Sequence, residues 1–290
     1  MINPRLLLVA IIWGINFSVV KFALAEFLPM SFTVLRFILA ALFLFSVMIL
    51  HREPFVIDHQ DRAAIIRLGL IGITLYNLFF MYGLKYTSAS NSALLVSLSP
   101  LFAVLIQAVS GKERITARIT VGLGLASAGV FLIIRSHYGE LSFSPLDIIG
   151  DLLTLCASLS WTFYTLMSKP LLEKYSPIKI STYSIAVGSI LLLPLSLYEL
   201  ACQPWAGISI QSWLALGFSA FIATGVAFTL WYQGIKQLGV TRTIVYHYLM
   251  PCAAVVFAAL FLGERATFLL ILGGIAILAG VIVVQKRQES

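Results

Sequence analysis

The stretch GLKYTSASNSALLVSLSP at residues 83–100 returns as GIKQLGVTRTIVYHYLMP at residues 234–251. Each stretch has 18 residues, opens with glycine, an apolar residue and lysine, and closes with proline, and the two lie 151 residues apart. Glycine, lysine and proline each mark a special position in a helix or turn, so their common spacing is not explained by shared hydrophobicity alone. The chain is therefore interpreted as two copies of one unit.

The correspondence extends well beyond these two stretches. At the same offset of 151 residues, and at an offset of 148 residues nearer the N-terminus, the following pairs agree: Glu113/Glu264, Gly122/Gly273, Gly129/Gly280, Trp13/Trp161, Lys21/Lys169 and Pro29/Pro177. The three-residue change in offset falls between the second and third predicted helices of each copy. We therefore predict two units, residues 1–140 and residues 146–290.

Composition places the chain in a membrane. Of its 290 residues, 60% are hydrophobic and only 11% are charged, and the mean hydropathy is +0.99. A membrane-spanning helix needs roughly 20 mostly apolar residues. Ten segments meet that requirement: 5–25, 31–50, 65–84, 91–110, 116–135, 148–168, 179–199, 213–234, 243–262 and 267–285.

Each copy has five predicted helices. Because five is an odd number of crossings, the second copy enters the membrane from the side opposite to the first. The predicted fold is thus an all-α integral membrane protein, with ten transmembrane helices arranged as two inverted five-helix repeats. Inverted repeats are typical of secondary transporters, which bind substrate near the membrane midplane between the halves. Exchanging the conformations of two such halves turns an inward-open form into an outward-open one.

The positive charges predict the orientation. Of the 19 Lys and Arg residues, fourteen fall in connections on the side of the N-terminus, four on the other side, and Arg36 lies inside a predicted helix. Positive residues accumulate on the cytoplasmic side, so both termini are expected in the cytoplasm. The formal charge of +7 is then explained without a nucleic-acid partner. A compact multi-pass chain of this kind suits a bacterial inner membrane.

Several motifs resemble one family. WGINF in the first predicted helix, VLRFILAAL in the second, the repeated stretch quoted above and GER before the tenth resemble the EamA-type family of the drug/metabolite transporter superfamily. The resemblance implies export of small metabolites such as amino acids, amines and aromatic compounds. It also implies a central cavity lined mainly by helices 1, 3, 4, 6, 8 and 9. Sugar conjugates or drugs are alternative substrates.

An enzyme and a channel are the competing classes. A lipid-modifying membrane enzyme needs clustered carboxylates, a metal site, or a nucleophile with a base. The predicted spans offer no such constellation, so no catalytic residue, metal or cofactor is predicted. The three cysteines are too few for a disulfide framework. Nothing resembles a channel filter loop. The expected partners are a small-molecule substrate and the lipid bilayer, and the chain is expected to be a monomer or a homodimer.

Ionisable residues inside spans are the first candidates for function, because burying a charge in a membrane is costly. Arg36 could bind a substrate carboxylate, or its side chain could extend to the membrane surface. His247 lies in VYHYLMP, where the other copy has Val96. It could carry a proton or contact substrate, or it could hydrogen-bond a neighbouring helix. Pro100 and Pro251 are predicted to interrupt their helices.

Polar and aromatic residues near the middle of predicted spans complete the candidate substrate site. These are Asn16, Tyr76, Asn77, Trp161 and Tyr164. Interhelical hydrogen bonding is the alternative explanation for each. Tyr82, Trp231 and Tyr232 lie nearer to span ends and are interpreted as anchors at the membrane surface. Small residues in segments 116–135 and 267–285 predict close helix contact, either inside the protein or in a dimer.

Overall fold

The computed structural model of the chain describes residues 2–86, 95–111, 115–137, 145–250, 253 and 268–285. Within these ranges the secondary structure is helical, with no strand. In the first half the α-helices are α1 (Pro4–Ala23), α2 (Pro29–Leu50), α3 (His59–Leu68), α4 (Tyr76–Tyr86), α5 (Ser99–Val109) and α6 (Ala117–His137). A π-helical segment, Gly69–Leu75, joins α3 to α4 without a break.

The second half has a similar order of elements. Its α-helices are α7 (Pro145–Lys174), α8 (Pro177–Cys202), α9 (Ile210–Gly217), α10 (Ala227–Leu238), α11 (Val240–Ile244) and α12 (Phe268–Gln285). A second π-helical segment, Phe218–Val226, joins α9 to α10. A 3-10 turn, Val245–Tyr248, follows α11, and another, Trp205–Gly207, precedes α9.

Proline and local side-chain caps set where several helices begin. Pro4, Pro29 and Pro177 each stand in the first turn of a helix, where the missing N–H costs no hydrogen bond. The side chain of Asn3 accepts hydrogen bonds from the backbone N–H groups of residues 5 and 6. Ser176 caps α8 in the same manner, through the N–H of Lys179.

Four helical segments of the described chain are long and apolar enough to cross a membrane: Pro29–Leu50, His59–Gly83, Pro177–Cys202 and Ile210–Leu238. Shorter apolar helices accompany them at Pro4–Val20, Ser99–Val109, Ala117–Leu132 and Ile271–Val284. The protein is therefore an all-helical membrane protein over the residues described.

The observed helices follow the predicted segments, with differences at two of them. Parts of segments 91–110 and 243–262 lie outside the described residues, as do Glu113, Pro251 and Glu264. The α-helix is interrupted before Pro100, as predicted, by a turn at residues 97–98. His247 lies in a 3-10 turn rather than in the predicted α-helix. Proline at position 251 has no N–H to donate to the carbonyl of residue 247, which removes the α-helical hydrogen bond there.

Helix packing links the two halves throughout. Helix α2 packs against α8, α4 against α7, α1 against α10, α5 against α11, and α6 against α12. The α6–α12 contact rests on glycines. A Cβ atom added to Gly122 would lie 2.9 Å from the carbonyl oxygen of Gly280, and one added to Gly129 would lie 2.5 Å from that of Gly273. The predicted small-residue contact is therefore internal to the chain.

Candidate functional site

Three tryptophans from three helices meet in the centre of the protein. Trp13 of α1, Trp161 of α7 and Trp231 of α10 have ring centroids 5.2–5.9 Å apart. All three are at most 7% exposed. At these separations aromatic rings gain from edge-to-face and offset contacts in addition to burial. We call Trp13, Trp161 and Trp231 the tryptophan cluster.

His247 lies against all three rings of the tryptophan cluster. Its ring stacks on Trp161 at 5.5 Å with an interplanar angle of 13°, and lies 6.2 Å from Trp13 and 6.1 Å from Trp231. Its Nδ1 is 3.0 Å from the hydroxyl oxygen of Ser99, at the start of α5. The 3-10 turn therefore places the only predicted intramembrane histidine inside an aromatic enclosure, with one polar partner from the other half of the chain.

Tyrosines and a phenylalanine extend this centre towards neighbouring helices. Tyr76 of α4 lies 5.5 Å from Trp161, and Tyr164 lies 5.4 Å from both Trp161 and Tyr232. Phe228 contacts Trp13, Trp161 and Tyr164. Trp231 and Tyr232 are buried to 1% and 0% exposure, so their interpretation as surface anchors was wrong.

Arg36 and Asn77 form a polar pair beside Tyr76. The Nη2 of Arg36 donates to Oδ1 of Asn77 at 3.0 Å, and Nδ2 of Asn77 donates to the carbonyl of Ile73 at 2.7 Å. The bond to Ile73 fixes the Asn77 amide so that its oxygen faces the guanidinium. The Nε of Arg36 is buried and has no hydrogen-bond partner among the described residues. A cationic donor is thus left available next to an aromatic surface.

Other buried polar atoms near this centre also lack partners in the described structure. They are Oδ1 of Asn16, Nε1 of Trp161 and Nε1 of Trp231. Buried polar groups are usually hydrogen-bonded, and exceptions often occur where a ligand or water binds. The unpaired atoms include both donors and an acceptor, which suits a small polar molecule.

The structure brings six of the seven predicted site residues into one connected group. Arg36 reaches Asn77, Tyr76 directly precedes Asn77 in the chain and contacts Trp161, and Trp161 contacts both Tyr164 and His247. Asn16 lies on α1 one turn after Trp13, and no ring contact or hydrogen bond joins it to the others in the described structure.

Sequence reasoning missed the contribution of α10. Phe228, Trp231 and Tyr232 are spaced three and four residues apart, so they share one face of the helix. That spacing could have identified them as a common inward-facing stripe.

The tryptophan cluster is hydrogen-bonded to a π-helical segment. The Nε1 of Trp13 donates to the carbonyl of Ala223 at 2.8 Å, in a buried contact. In each π-helical segment a threonine hydroxyl donates to the carbonyl five residues earlier. Thr74 donates to Gly69 at 3.4 Å, and Thr224 donates to Ser219 at 2.9 Å. Short π-helical turns inside α-helices are frequent at functional sites.

Polar contacts join helix ends and connecting segments at both membrane faces. On the N-terminal face, the hydroxyl of Tyr246 accepts from the N–H of Asn3 at 2.7 Å, and Nζ of Lys236 donates to the carbonyl of Tyr175 at 3.1 Å. On the opposite face, Glu26 accepts from the backbone N–H and the hydroxyl of Ser209, both at 2.8 Å. The backbone N–H of Ser209, with the hydroxyls of Ser212 and Ser209, holds the pKa of the Glu26 carboxyl below its usual value.

A separate crevice lies away from the tryptophan cluster. Its volume is about 150 Å³, and its lining comes from α2, α8, the second π-helical segment and α10: Phe43, Leu44, Val47, Ile178, Gly225, Val226, Thr229 and Leu230. This lining is almost wholly apolar. No three His, Cys, Asp or Glu residues within the described ranges are placed to bind a metal ion.

Comparison with known proteins places the chain among transporters. The model of the EamA-like transporter family matches residues 5–135 and again residues 148–285. An uncharacterized transporter of Archaeoglobus fulgidus is 30% identical over 285 residues, covering 98% of this chain and 97% of that protein. The uncharacterized transporter YyaM of Bacillus subtilis is 29% identical, covering 94% of this chain and 90% of its own length.

Two further comparisons bear on substrate and on fold. A protein of Streptantibioticus cattleyicolor named a probable terminal-alkyne amino-acid exporter is 27% identical over 232 residues, covering 79% of this chain and 74% of that protein. A solved crystal structure superposes with a TM-score of 0.80 at 18% identity, covering 98% of this chain and 97% of the other. That likeness shows the fold alone.

Proposed function

The chain belongs to the EamA-like transporter family, and from that premise we propose that it exports amino acids or related amines and aromatic compounds by alternating access. Membership of a transporter family makes the protein a transporter rather than an enzyme. The proposal concerns the substrate, the direction and the mechanism.

One observation carries the substrate proposal. The guanidinium of Arg36 lies in the protein interior with its Nε unpaired, beside Tyr76 and next to the tryptophan cluster. No carboxylate of the described chain forms an ion pair with it. Arginine binds carboxylates through directed, charge-assisted hydrogen bonds, and aromatic faces attract ammonium groups and other aromatic rings. Such a site suits a molecule with a carboxylate and an apolar or cationic body.

A relative supports the same substrate class. The Streptantibioticus cattleyicolor protein is named a probable exporter of terminal-alkyne amino acids, so one similar chain is assigned an amino-acid substrate. We extend the class, and not that particular compound, to this chain.

Helix packing supports the proposed architecture of ten spans in two inverted repeats, residues 1–140 and 146–290. Gly122 contacts Gly280, and their repeat equivalents Gly273 and Gly129 contact each other. The two π-helical segments end at Leu75 and Val226, again 151 residues apart. Contacts that map onto themselves when the halves are exchanged are expected from a two-fold axis between the repeats. The charge distribution supports a cytoplasmic position for both termini, and we propose a bacterial inner membrane as the location.

A flux assay in proteoliposomes tests the substrate proposal. The substrates are apolar and aromatic amino acids, each paired with the amine that remains when its carboxylate is removed. We expect the amino acids to move at least about tenfold faster than their amines, because the charge-assisted bonds to Arg36 need the carboxylate. Equal flux of acid and amine would contradict the role of Arg36, and absence of flux for the whole panel would contradict the substrate class.

A further inference from the structure

Trp13 and Trp161 occupy equivalent positions but have different hydrogen bonding. They are related by the 148-residue offset and their rings touch, with centroids 5.4 Å apart. The indole N–H of Trp13 donates to the carbonyl of Ala223 in the second π-helical segment. The indole N–H of Trp161 is buried, and it has no partner among the described residues. One donor is satisfied, and its counterpart is not.

The repeat identifies the acceptor that Trp161 lacks. At the 151-residue offset, Ala223 corresponds to Gly72 in the first π-helical segment. The backbone agrees with this register. The N–H of Tyr76, which follows the first π-helical segment, donates to the carbonyls of Ile71 and Ile73. The N–H of Ala227, which follows the second, donates to those of Ile222 and Thr224, each 151 residues later.

The side chain of Tyr164 now covers Gly72. A Cβ atom added to Gly72 would overlap the Tyr164 ring, and Tyr164 also contacts Trp161. The ring therefore occupies the space beside the carbonyl that Trp161 would need to reach. In the other copy the residue equivalent to Tyr164 is the smaller Asn16, and there the indole of Trp13 reaches Ala223.

We propose that the two indole hydrogen bonds alternate during transport. In the state described here Trp13 donates to Ala223, and in the oppositely facing state Trp13 releases Ala223 while Trp161 donates to Gly72. The inference rests on the alternating-access part of the proposed function, and it makes Trp13 and Trp161 positioning residues that couple the tryptophan cluster to the two π-helical segments. Each state then satisfies one buried indole, which gives both states a comparable hydrogen-bond count.

At the N-terminal face of the state described here, α10 and the 3-10 turn are bonded to neighbouring segments. Lys236, near the end of α10, donates to the carbonyl of Tyr175 in the α7–α8 connection. Tyr246, in the 3-10 turn, accepts from the N–H of Asn3 at the start of α1. The Nη1 of Arg5 also lies 3.4 Å from Oε1 of Gln233, in α10. A cysteine at position 233 therefore reports whether this face is closed.

The experiment uses the full chain without its native cysteines, carrying Gln233→Cys, and measures the rate of reaction with a water-soluble maleimide. Trp13→Phe removes a bond of the present state, so we expect the labelling rate to rise by roughly threefold to tenfold, the range corresponding to one hydrogen bond. Trp161→Phe removes a bond of the opposite state, so we expect the rate to fall by a similar factor. The double variant should return towards the rate of the parent.

Trp231→Phe is the matched control. Trp231 is equally buried in the same cluster, its indole N–H is also unpaired, and the repeat has Phe80 at its position. We expect its labelling rate to stay within about twofold of the parent, because no alternating acceptor is assigned to it.

Changes of the same sign for Trp13→Phe and Trp161→Phe, or no change for either, would overturn the proposal. If Trp13→Phe does not fold, Trp161→Phe decides alone, since it removes no bond of this structure: a fall supports the proposal, and a rise or an unchanged rate overturns it. The assay contains no substrate. Opposite signs without amino-acid flux would therefore keep the alternation and reject the proposed substrate.

Discussion

The α6–α12 contact and the polar positions around the tryptophan cluster differ in how far they preserve the repeat. In the α6–α12 contact, equivalent glycines meet equivalent glycines, and exchanging the halves changes nothing. In the centre, equivalent positions differ: Arg36 corresponds to Ser184, His247 to Val96 and Asn16 to Tyr164. The glycine contact preserves the duplication, whereas these three positions around the centre depart from it.

The difference separates two requirements on one chain. A scaffold that must support two states related by exchange of its halves benefits from equal halves, because packing then favours neither state. A substrate has no two-fold axis, so residues that bind it gain by differing between the halves. Asymmetric positions inside a symmetric frame are therefore the best candidates for recognition.

The largest expected effect is all-or-none and tests the inversion itself. The exposed residues Val56 and Ala206 lie in equivalent connections, after α2 and after α8. In a cysteine-free chain, Val56→Cys should react with an impermeant reagent only from the cytoplasm, and Ala206→Cys only from outside. Labelling of both from the same side would rule out inverted repeats.

A second test breaks the symmetric contact. Gly280→Val places a Cβ 2.5 Å from the carbonyl oxygen of Gly122, so we expect a loss of stability of at least about 1–3 kcal/mol. Gly124→Val is the control, because nothing lies within 4 Å of a Cβ there. Thermal unfolding and the yield of monodisperse protein measure both. Equal behaviour of the two variants would show that the glycine contact is not required.

A third test makes the halves alike at the polar pair. Arg36→Ser introduces the residue found at the equivalent position 184 and should lower amino-acid flux at least about tenfold, since a charge-assisted bond is lost. Ser184→Ala, on the other half, should change flux less than about twofold, because its hydroxyl donates to the carbonyl of Ser181 in its own helix at 3.2 Å and makes a weak contact of 3.4 Å with Tyr164. Folded yield is measured alongside. A matching fall in yield and flux for Arg36→Ser would indicate a packing role instead.

A fourth test concerns His247. Histidine is the side chain that changes charge near neutral pH, and Gln keeps hydrogen bonding without titrating there. If His247 carries a proton or contacts substrate, His247→Gln should flatten the pH dependence of flux while retaining transport at one end of the pH range. His247→Val introduces the residue that the other copy has at this position. Unlike the Gln variant, it also removes the polar contact with Ser99. A wild-type pH profile in the Gln variant would make His247 a structural residue.

The smallest effect is expected at the connection between α1 and α2. The lowered pKa of Glu26 means that its bonds with Ser209 stabilise the fold above the pKa of the unfolded chain. That contribution is lost as the pH falls through the lower folded pKa. Glu26→Gln should therefore lower the melting temperature slightly at neutral pH, and this effect should disappear progressively as the pH falls below the ordinary glutamate pKa of about 4.3. A difference that persists at acid pH would contradict the assignment.

Sequence periodicity predicted the helices well because long apolar runs have few alternatives in a membrane. It also found Arg36, Asn77, Trp161 and His247, since polar and repeat-breaking residues stand out against such runs. It failed for Trp231 and Tyr232, because distance from a span end does not reveal which neighbour covers a side chain. The π-helical segments were also missed: Gly69–Leu75 and Phe218–Val226 are as apolar as any α-helix, and their wider turns depend on bonds such as those of Thr74 and Thr224.

Those π-helical segments carry information about ancestry. Each segment has hydrogen bonds that span five residues instead of four. The two segments end at equivalent residues, Leu75 and Val226, and the N–H groups of the next residues bond to equivalent carbonyls. An insertion acquired separately in each half would have no reason to stop at the same place. If the two halves that the family model matches arose by duplication, the widened turn is older than that duplication and was present in the single repeat unit. Arg36 opposite Ser184 and His247 opposite Val96 are divergences that followed, after the two copies were joined and could specialise.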